Sequence, residues 1–217
     1  MTREAERRTP RAALQRGLAE LALALSPAAT EQLLAYLDLL AKWNKTYNLT
    51  AIRDPVQAVS LHLLDSLAVL RELPDDRGAL ADVGSGGGLP GIPLAIAEPA
   101  RRVTLNDASE KKTAFLRQAV IELGLRNADV HVGRAEQWRP AQRFAIVVTR
   151  GFASLVDFLA ACRHLVAPGG VLAAMKGAYP EAELAQIPAD CDCRDVRRLK
   201  VPLLDAERHL VLCRAAA

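Results

Sequence analysis

The run Ala81-Asp82-Val83-Gly84-Ser85-Gly86-Gly87-Gly88-Leu89-Pro90-Gly91 carries the densest chemical signal in the sequence. Glycines packed this closely let a chain turn sharply and let a ligand approach main-chain amides without meeting a side chain. A helix opening just beyond them adds a partial positive charge. Asp107 follows Gly84 by 23 positions, the remove at which an acid on the next strand accepts both hydroxyls of a ribose. Together they point to a ligand containing a nucleoside. Asp82, two places before the first glycine, separates the ligand classes, because a carboxylate there repels a pyrophosphate and welcomes an ammonium. S-adenosylmethionine has an ammonium, a sulfonium and no phosphate. Asp82, Gly84, Ser85 and Gly86 therefore suit it better than a dinucleotide, although a nicotinamide-dependent oxidoreductase stays open as a rival reading.

Residues of this kind need strands and helices to hold them. From Leu80 onward short apolar runs alternate with helical stretches: strands at Leu80 to Val83, Val103 to Leu105, Val130 to Val132, Phe144 to Thr149 and Val171 to Met175, helices near 90–98, 110–123, 154–167 and 180–187. Such alternation predicts right-handed crossovers and a parallel sheet covered on both faces. Two further runs, Val196 to Leu203 and His209 to Cys213, are too close for a helix between them and predict an antiparallel hairpin at one edge. The fold class is thus α/β, a Rossmann-like seven-stranded sheet with six strands parallel and one antiparallel. Ahead of it, Thr9-Pro10, Ser26-Pro27 and Asp54-Pro55 each set a capping oxygen before a proline suited to a first helical turn. Leu33, Leu37 and Leu40, then Val59, Leu63, Leu67 and Leu70, give each following helix one apolar stripe. The turn cluster Pro74-Asp75-Asp76-Arg77-Gly78 marks the boundary between a helical segment, 1–75, and the sheet domain, 76–217.

Composition is compatible with all of this. With 217 residues, 51% hydrophobic and 24% charged, the chain can bury a core unaided and is not globally disordered. No apolar run reaches the roughly 18 residues a membrane span needs, and the mixed charges of Met1 to Arg8 do not form a secretory leader. Cys162, Cys191, Cys193 and Cys213 have no paired spacing and are expected to be reduced thiols of a cytoplasmic protein. His131, His164 and His209 share no ligand spacing, so no metal site is expected. A net charge of +3 allows an anionic partner without requiring one.

The sequence resembles the bacterial small-subunit ribosomal RNA guanine-N7 methyltransferases, also called the glucose-inhibited division protein B family. The likeness runs from about Leu33 to Lys176. It is carried by Trp43-Asn44-Lys45-Thr46-Tyr47-Asn48-Leu49-Thr50-Ala51, His62-Leu63-Leu64-Asp65-Ser66-Leu67, the glycine loop continuing into Leu89-Pro90-Gly91-Ile92-Pro93, Lys111-Lys112, Arg134-Ala135-Glu136 and Arg150-Gly151-Phe152-Ala153-Ser154-Leu155. The resemblance implies that Gly84, Leu89, Ala135, Glu136 and Arg150 line the S-adenosylmethionine site, with Asp107 on the ribose. It also implies a specific guanine of 16S ribosomal RNA, in the decoding-site loop, as acceptor. Position along the chain agrees at two places. Ala135 and Glu136 follow the third strand, where a backbone amide and a carboxylate can meet an adenine edge. Arg150 ends the fourth strand, either in a salt bridge or as a clamp on a carboxylate or an RNA phosphate.

The acceptor can be narrowed by chemistry. Thr149-Arg150-Gly151-Phe152 lacks the Asn or Asp with Pro-Pro and an aromatic that serves exocyclic amines, and no cysteine falls where a pyrimidine C5 reaction needs a nucleophile. Guanine N7 needs neither, so no general base or catalytic nucleophile is expected. For RNA, charge and stacking surface coincide at Lys42, Trp43, Lys45, Tyr47, Asn48 and Arg53, and further candidates are His62, Lys111 and Lys112. His62, Asp65 and Ser66 share one helix but cannot act there as a hydrolase triad, because a single helix does not align the three as successive hydrogen-bond partners. A monomer is expected, and a methyltransferase-like RNA-binding protein without turnover is the second rival.

Overall fold

The computed structural model describes residues 9–74 and 78–215. The expected boundary turn lies partly, and Met1 to Arg8 wholly, outside the described residues. The proline-led starts fold as their sequences dictate. Helix α1 is Pro10–Glu20 and α2 is Pro27–Tyr47. Thr9 Oγ1 accepts from the Ala12 amide at 3.2 Å and Ser26 Oγ from Ala29 at 3.1 Å. Each satisfies a first-turn donor that the helix itself leaves free. Asn48 ends α2 in the left-handed conformation, φ 50°.

The third helix, α3, departs from the regular stripe expected. It runs as Pro55–Ala58, a π-helical Val59–Leu64, Asp65–Leu67 and a 3₁₀ turn Ala68–Arg71. The wide turn rotates successive side chains so that Val59, Leu63, Leu64 and Leu67 are buried and His62, Asp65 and Ser66 are buried with them. A single 3.6-residue stripe could not have covered both sets.

Strands β1 (Leu80–Val83), β2 (Val103–Asp107), β3 (Ala128–Val132), β4 (Phe144–Arg150), β5 (Val166–Lys176), β6 (Cys191–Arg198) and β7 (His209–Ala215) form one sheet in the order β3-β2-β1-β4-β5-β7-β6. Strands β1 to β5 pair in parallel, while β7 lies antiparallel to both β5 and β6. Helices α4 (Gly91–Ala97), α5 (Glu110–Glu122), α6 (Leu155–Cys162) and α7 (Glu181–Leu184) complete the chain. Strand β5 begins before the expected Val171, because Val166 pairs with Phe144 across a bulge. The preceding helix consequently stops at Cys162 and not at 167.

Side-chain alternation along the strands divides the core in two. Leu80, Leu210 and Leu212 face the layer with α1 to α5, whereas Ala81, Val83, Val211 and Cys213 face the layer with α6 and Trp138. Each fully buried leucine of these layers stabilises the fold by roughly 1.5–3 kcal/mol.

The expectation of four free thiols is corrected. Cys193 and Cys213 form a disulfide between β6 and β7, leaving Cys162 and Cys191 free. The register shift between Asp192 and Asp195 brings the two together across the strands, a placement that spacing in the sequence does not reveal. Among the described residues no helix is long and apolar enough to cross a membrane, and no cluster of His, Cys, Asp or Glu could hold a metal ion.

Candidate active site

Strand β1 has β2 on one side and β4 on the other, so the carboxyl ends of these strands open the crevice in which sheets of this kind bind ligands. The glycine loop fills its floor. Ser85 N donates to Asn106 O at 2.9 Å, and Gly88 N and Leu89 N donate back to Ser85 O at 2.7 and 3.0 Å. Gly84 and Gly86 take φ of +72° and +58°, a region where a side chain is strained. A Cβ placed on Gly84 would meet nothing within 4 Å, and one on Gly86 only Gly84 O at 3.8 Å. The surface over these two residues is open, the form a cradle for a nucleoside requires.

Asp107 closes one end of it. Its Oδ2 accepts from the Gly86 amide at 3.0 Å and its Oδ1 from Ser109 at 2.9 Å, with Lys112 Nζ 3.7 Å away. Asp82 sits beneath the loop and not on its surface. It is fully buried, its Oδ2 accepts from Gly91 N at 2.8 Å, and its Oδ1 has no partner. Burial pushes its carboxyl up to about 7. Gly91 must be glycine because any Cβ there would fall 2.6 Å from that carboxylate. The ammonium contact expected of Asp82 therefore has no open face here, and the acid's visible task is to hold the start of α4.

Across the crevice Ala135 is buried at the start of a 3₁₀ turn and Glu136 is exposed beside it. Asn106 Nδ2 reaches this rim, donating to Gly133 O at 2.9 Å. Leu89 is buried under the loop. Arg150 makes the salt bridge of its two readings: Nη1 donates to Asp65 Oδ2 and to Leu61 O, each at 3.0 Å. Asp65, 3% exposed, also accepts from Arg208 Nε at 2.8 Å, so two arginines share one buried carboxylate at the mouth.

His62 is a correction to the RNA candidates. It is buried, its Nε2 pairs with Thr50 Oγ1 at 2.8 Å, and burial reinforced by the Arg150 charge pulls it down to about 4. A buried neutral imidazole offers RNA no charge. The other candidates remain at the surface: Lys45 and Asn48 are exposed at the end of α2, and Lys111 and Lys112 at the start of α5. Trp43 stacks on the exposed Tyr47 at 5.2 Å and tilts against Phe115 of α5 at 5.6 Å, which sets these two helices side by side. In the hairpin, by contrast, Arg194, Arg197 and Arg198 are engaged by Asp192, Asp195 and Glu207.

The sequence does not single out Tyr36, which donates to Gly87 O, or Arg208, which donates to Asp65, while Asn44, part of the family motif, uses its side-chain amide to hold both N and O of Thr50. Tyr36, Leu40 and Asn44 recur every fourth residue of α2, a spacing visible in the sequence but read there only as a leucine stripe.

The architecture is that of an S-adenosylmethionine-dependent methyltransferase. A SAM-dependent methyltransferase from Aquifex aeolicus superposes with TM-score 0.57 at 19% identity, covering 82% of this chain and 98% of that one. The glycopeptide N-methyltransferase MtfA, solved with S-adenosylmethionine, gives TM-score 0.56 at 13% identity over 72% and 88% of the two chains. Residues 29–211 match the model of the family described as rRNA small subunit methyltransferase G, and the chain belongs to that family. Proteins called ribosomal RNA small subunit methyltransferase G are 52% identical to it in Laribacter hongkongensis, over 91% of this chain and 95% of the relative. In Neisseria meningitidis serogroup A the identity is also 52%, over 92% and 95%. The expected fold, family, enzyme class and cofactor are thereby borne out, and the nicotinamide reading is set aside.

Proposed function

We propose that this chain methylates N7 of a specific guanine in 16S ribosomal RNA. The observation that carries the reading is the open glycine cradle with Asp107 bonded to its Gly86 amide, which lies within residues 29–211 that match the rRNA small subunit methyltransferase G family. Gly84 and Gly86 would hold the cofactor, Asp107 its ribose, and Ala135 with Glu136 the adenine edge, while Ser85, expected among the cofactor contacts, is buried with its Oγ donating to Asp82 O at 2.8 Å and shapes the turn beneath them. S-adenosylmethionine supplies a methyl group on a positively charged sulfur.

Guanine N7 has an in-plane lone pair and no proton, so the chain must align and exclude water but need not deprotonate. Alignment of this kind supplies roughly 7–11 kcal/mol. The mouth of the cleft agrees with that demand. N7 gains positive charge as it is methylated, and a guanidinium free to face the base would oppose the reaction, whereas Arg150 is held on Asp65 and the Leu61 carbonyl. The Trp43–Tyr47 stack with exposed Lys42, Lys45, Lys111 and Lys112 provides charge and ring surface for unpaired RNA. A cytoplasmic location follows from such a substrate, and no longer from the thiols.

Gly86→Val tests the cradle, since it strains a residue at φ +58° and fills the space above it. Titration calorimetry should show S-adenosylmethionine binding lost. Unchanged affinity would place the cofactor elsewhere.

A further inference from the structure

We propose that Tyr36 is a positioning residue for cofactor capture, its hydroxyl bracing the outer shoulder of the glycine loop from α2. The inference rests on the reading of that loop as the S-adenosylmethionine cradle. Tyr36 is fully buried, and its hydroxyl donates to Gly87 O at 2.5 Å. The contact is part of a ridge. One turn on, Leu40 Cδ1 lies 3.1 Å from where a Gly87 Cβ would stand, and two turns on, Asn44 Nδ2 donates to Thr50 O at 2.8 Å while its Oδ1 accepts from Thr50 N at 2.9 Å. Residues four apart lie on one helix face, so a single face of α2 fixes both the loop and the segment that covers it.

The loop needs an outside brace because its inner support is shared. Gly84, Gly86 and Gly88 all take positive φ, and a glycine-rich segment loses much conformational freedom when it is ordered. On the cleft side it is held by Asp107 Oδ2 on Gly86 N, the same carboxylate that the ribose would engage. Tyr36 has no surface in the cleft and so keeps its bond to Gly87 whether or not Asp107 is called away. Burial also keeps the phenol well above its usual range, leaving it a donor wherever the protein is folded. A loop already ordered before binding costs the ligand less to engage.

Tyr36→Phe removes the hydroxyl and keeps the ring. Gln32→Ala is its control, because Gln32 Nε2 makes a bond of the same kind from α2 to Leu123 O at 2.8 Å, away from the loop. Calorimetry and steady-state methyl transfer to small-subunit RNA should show Kd and KM for S-adenosylmethionine rising about tenfold in Tyr36→Phe. KM for RNA and the rate at saturating cofactor should match the parent. Gln32→Ala should lower Tm and leave cofactor affinity alone. Unchanged cofactor affinity in Tyr36→Phe, or an equal rise in Gln32→Ala, overturns the proposal. Gly86→Val measured alongside separates the two ideas: if it too binds normally, the cradle itself is misplaced, whereas if only Tyr36→Phe binds normally, the brace alone is wrong.

Discussion

Asp82 and His62 are a buried acid and a buried base of opposite electrostatic consequence, and each contributes its own slope to the way stability changes with pH. Asp82 rises from 3.8 to about 7. The folded chain therefore holds its proton more tightly, and the stability it contributes at low pH is lost as pH climbs from about 4 through about 7. His62 falls from 6.5 to about 4. Here the unfolded chain binds the proton more tightly, so stability present above 6.5 is lost as pH falls toward 4. The two slopes oppose each other across that window. Asp82→Asn should make stability climb more steeply between pH 4 and 6.5, and His62→Asn should flatten the loss on the acid side. Urea unfolding at several pH values reads both, and slopes that move in the same direction would contradict the burial of one of them. Residue identity made the glycine loop and Asp107 legible, because few types tolerate positive φ and an acid at that remove has few other uses. It did not disclose burial: Asp82 and His62 look like ligand contacts until the wide turn of α3 and the start of α4 enclose them.

At the scale of elements, proline and cap residues announced where helices start, since those signals are local. Their ends depended on neighbours. Strand β5 reaches back to Val166 because β4 offers it a partner, and α3 widens because both of its sides are covered. An antiparallel pair at this edge was expected, but its first strand is Cys191–Arg198 and not Val196 to Leu203, and the bulged register of the displaced strand makes the disulfide. A thiol reagent under denaturing conditions without reductant should titrate Cys162 and Cys191 alone, and all four cysteines after reduction. Cys213→Ser should destabilise the chain by about 3 kcal/mol, the scale for a closed loop of about this length. Four reactive thiols before reduction would restore the expectation of reduced cysteines.

For the whole molecule, a net charge of +3 says little until its distribution is known. The hairpin arginines are spent on neighbouring acids, while Lys42, Lys45 and Tyr47 are exposed toward the end of α2 and Lys111 at the start of α5, the helix against which Trp43 packs. Replacing Lys45 and Lys111 by alanine should weaken RNA binding and lower the slope of log affinity against log salt by about 1.5, since each phosphate left without its lysine accounts for roughly 0.7 to 0.9. An unchanged slope would move the RNA to another face. The α/β class, with a parallel sheet and an antiparallel edge, was readable from strand and helix alternation, because connection rules leave few topologies; the strand order and the surface that meets RNA were not, because packing decides which strands are neighbours and charge alone does not show which cations are already paired.

The most direct test supplies small ribosomal subunits from a strain lacking this gene, the purified chain and methyl-labelled S-adenosylmethionine, and then maps the label by mass spectrometry. One N7-methylguanosine in 16S ribosomal RNA, formed by the parent and absent with Gly86→Val, is the expected result. Label on any other atom, or equal transfer by the Gly86→Val chain, would contradict it.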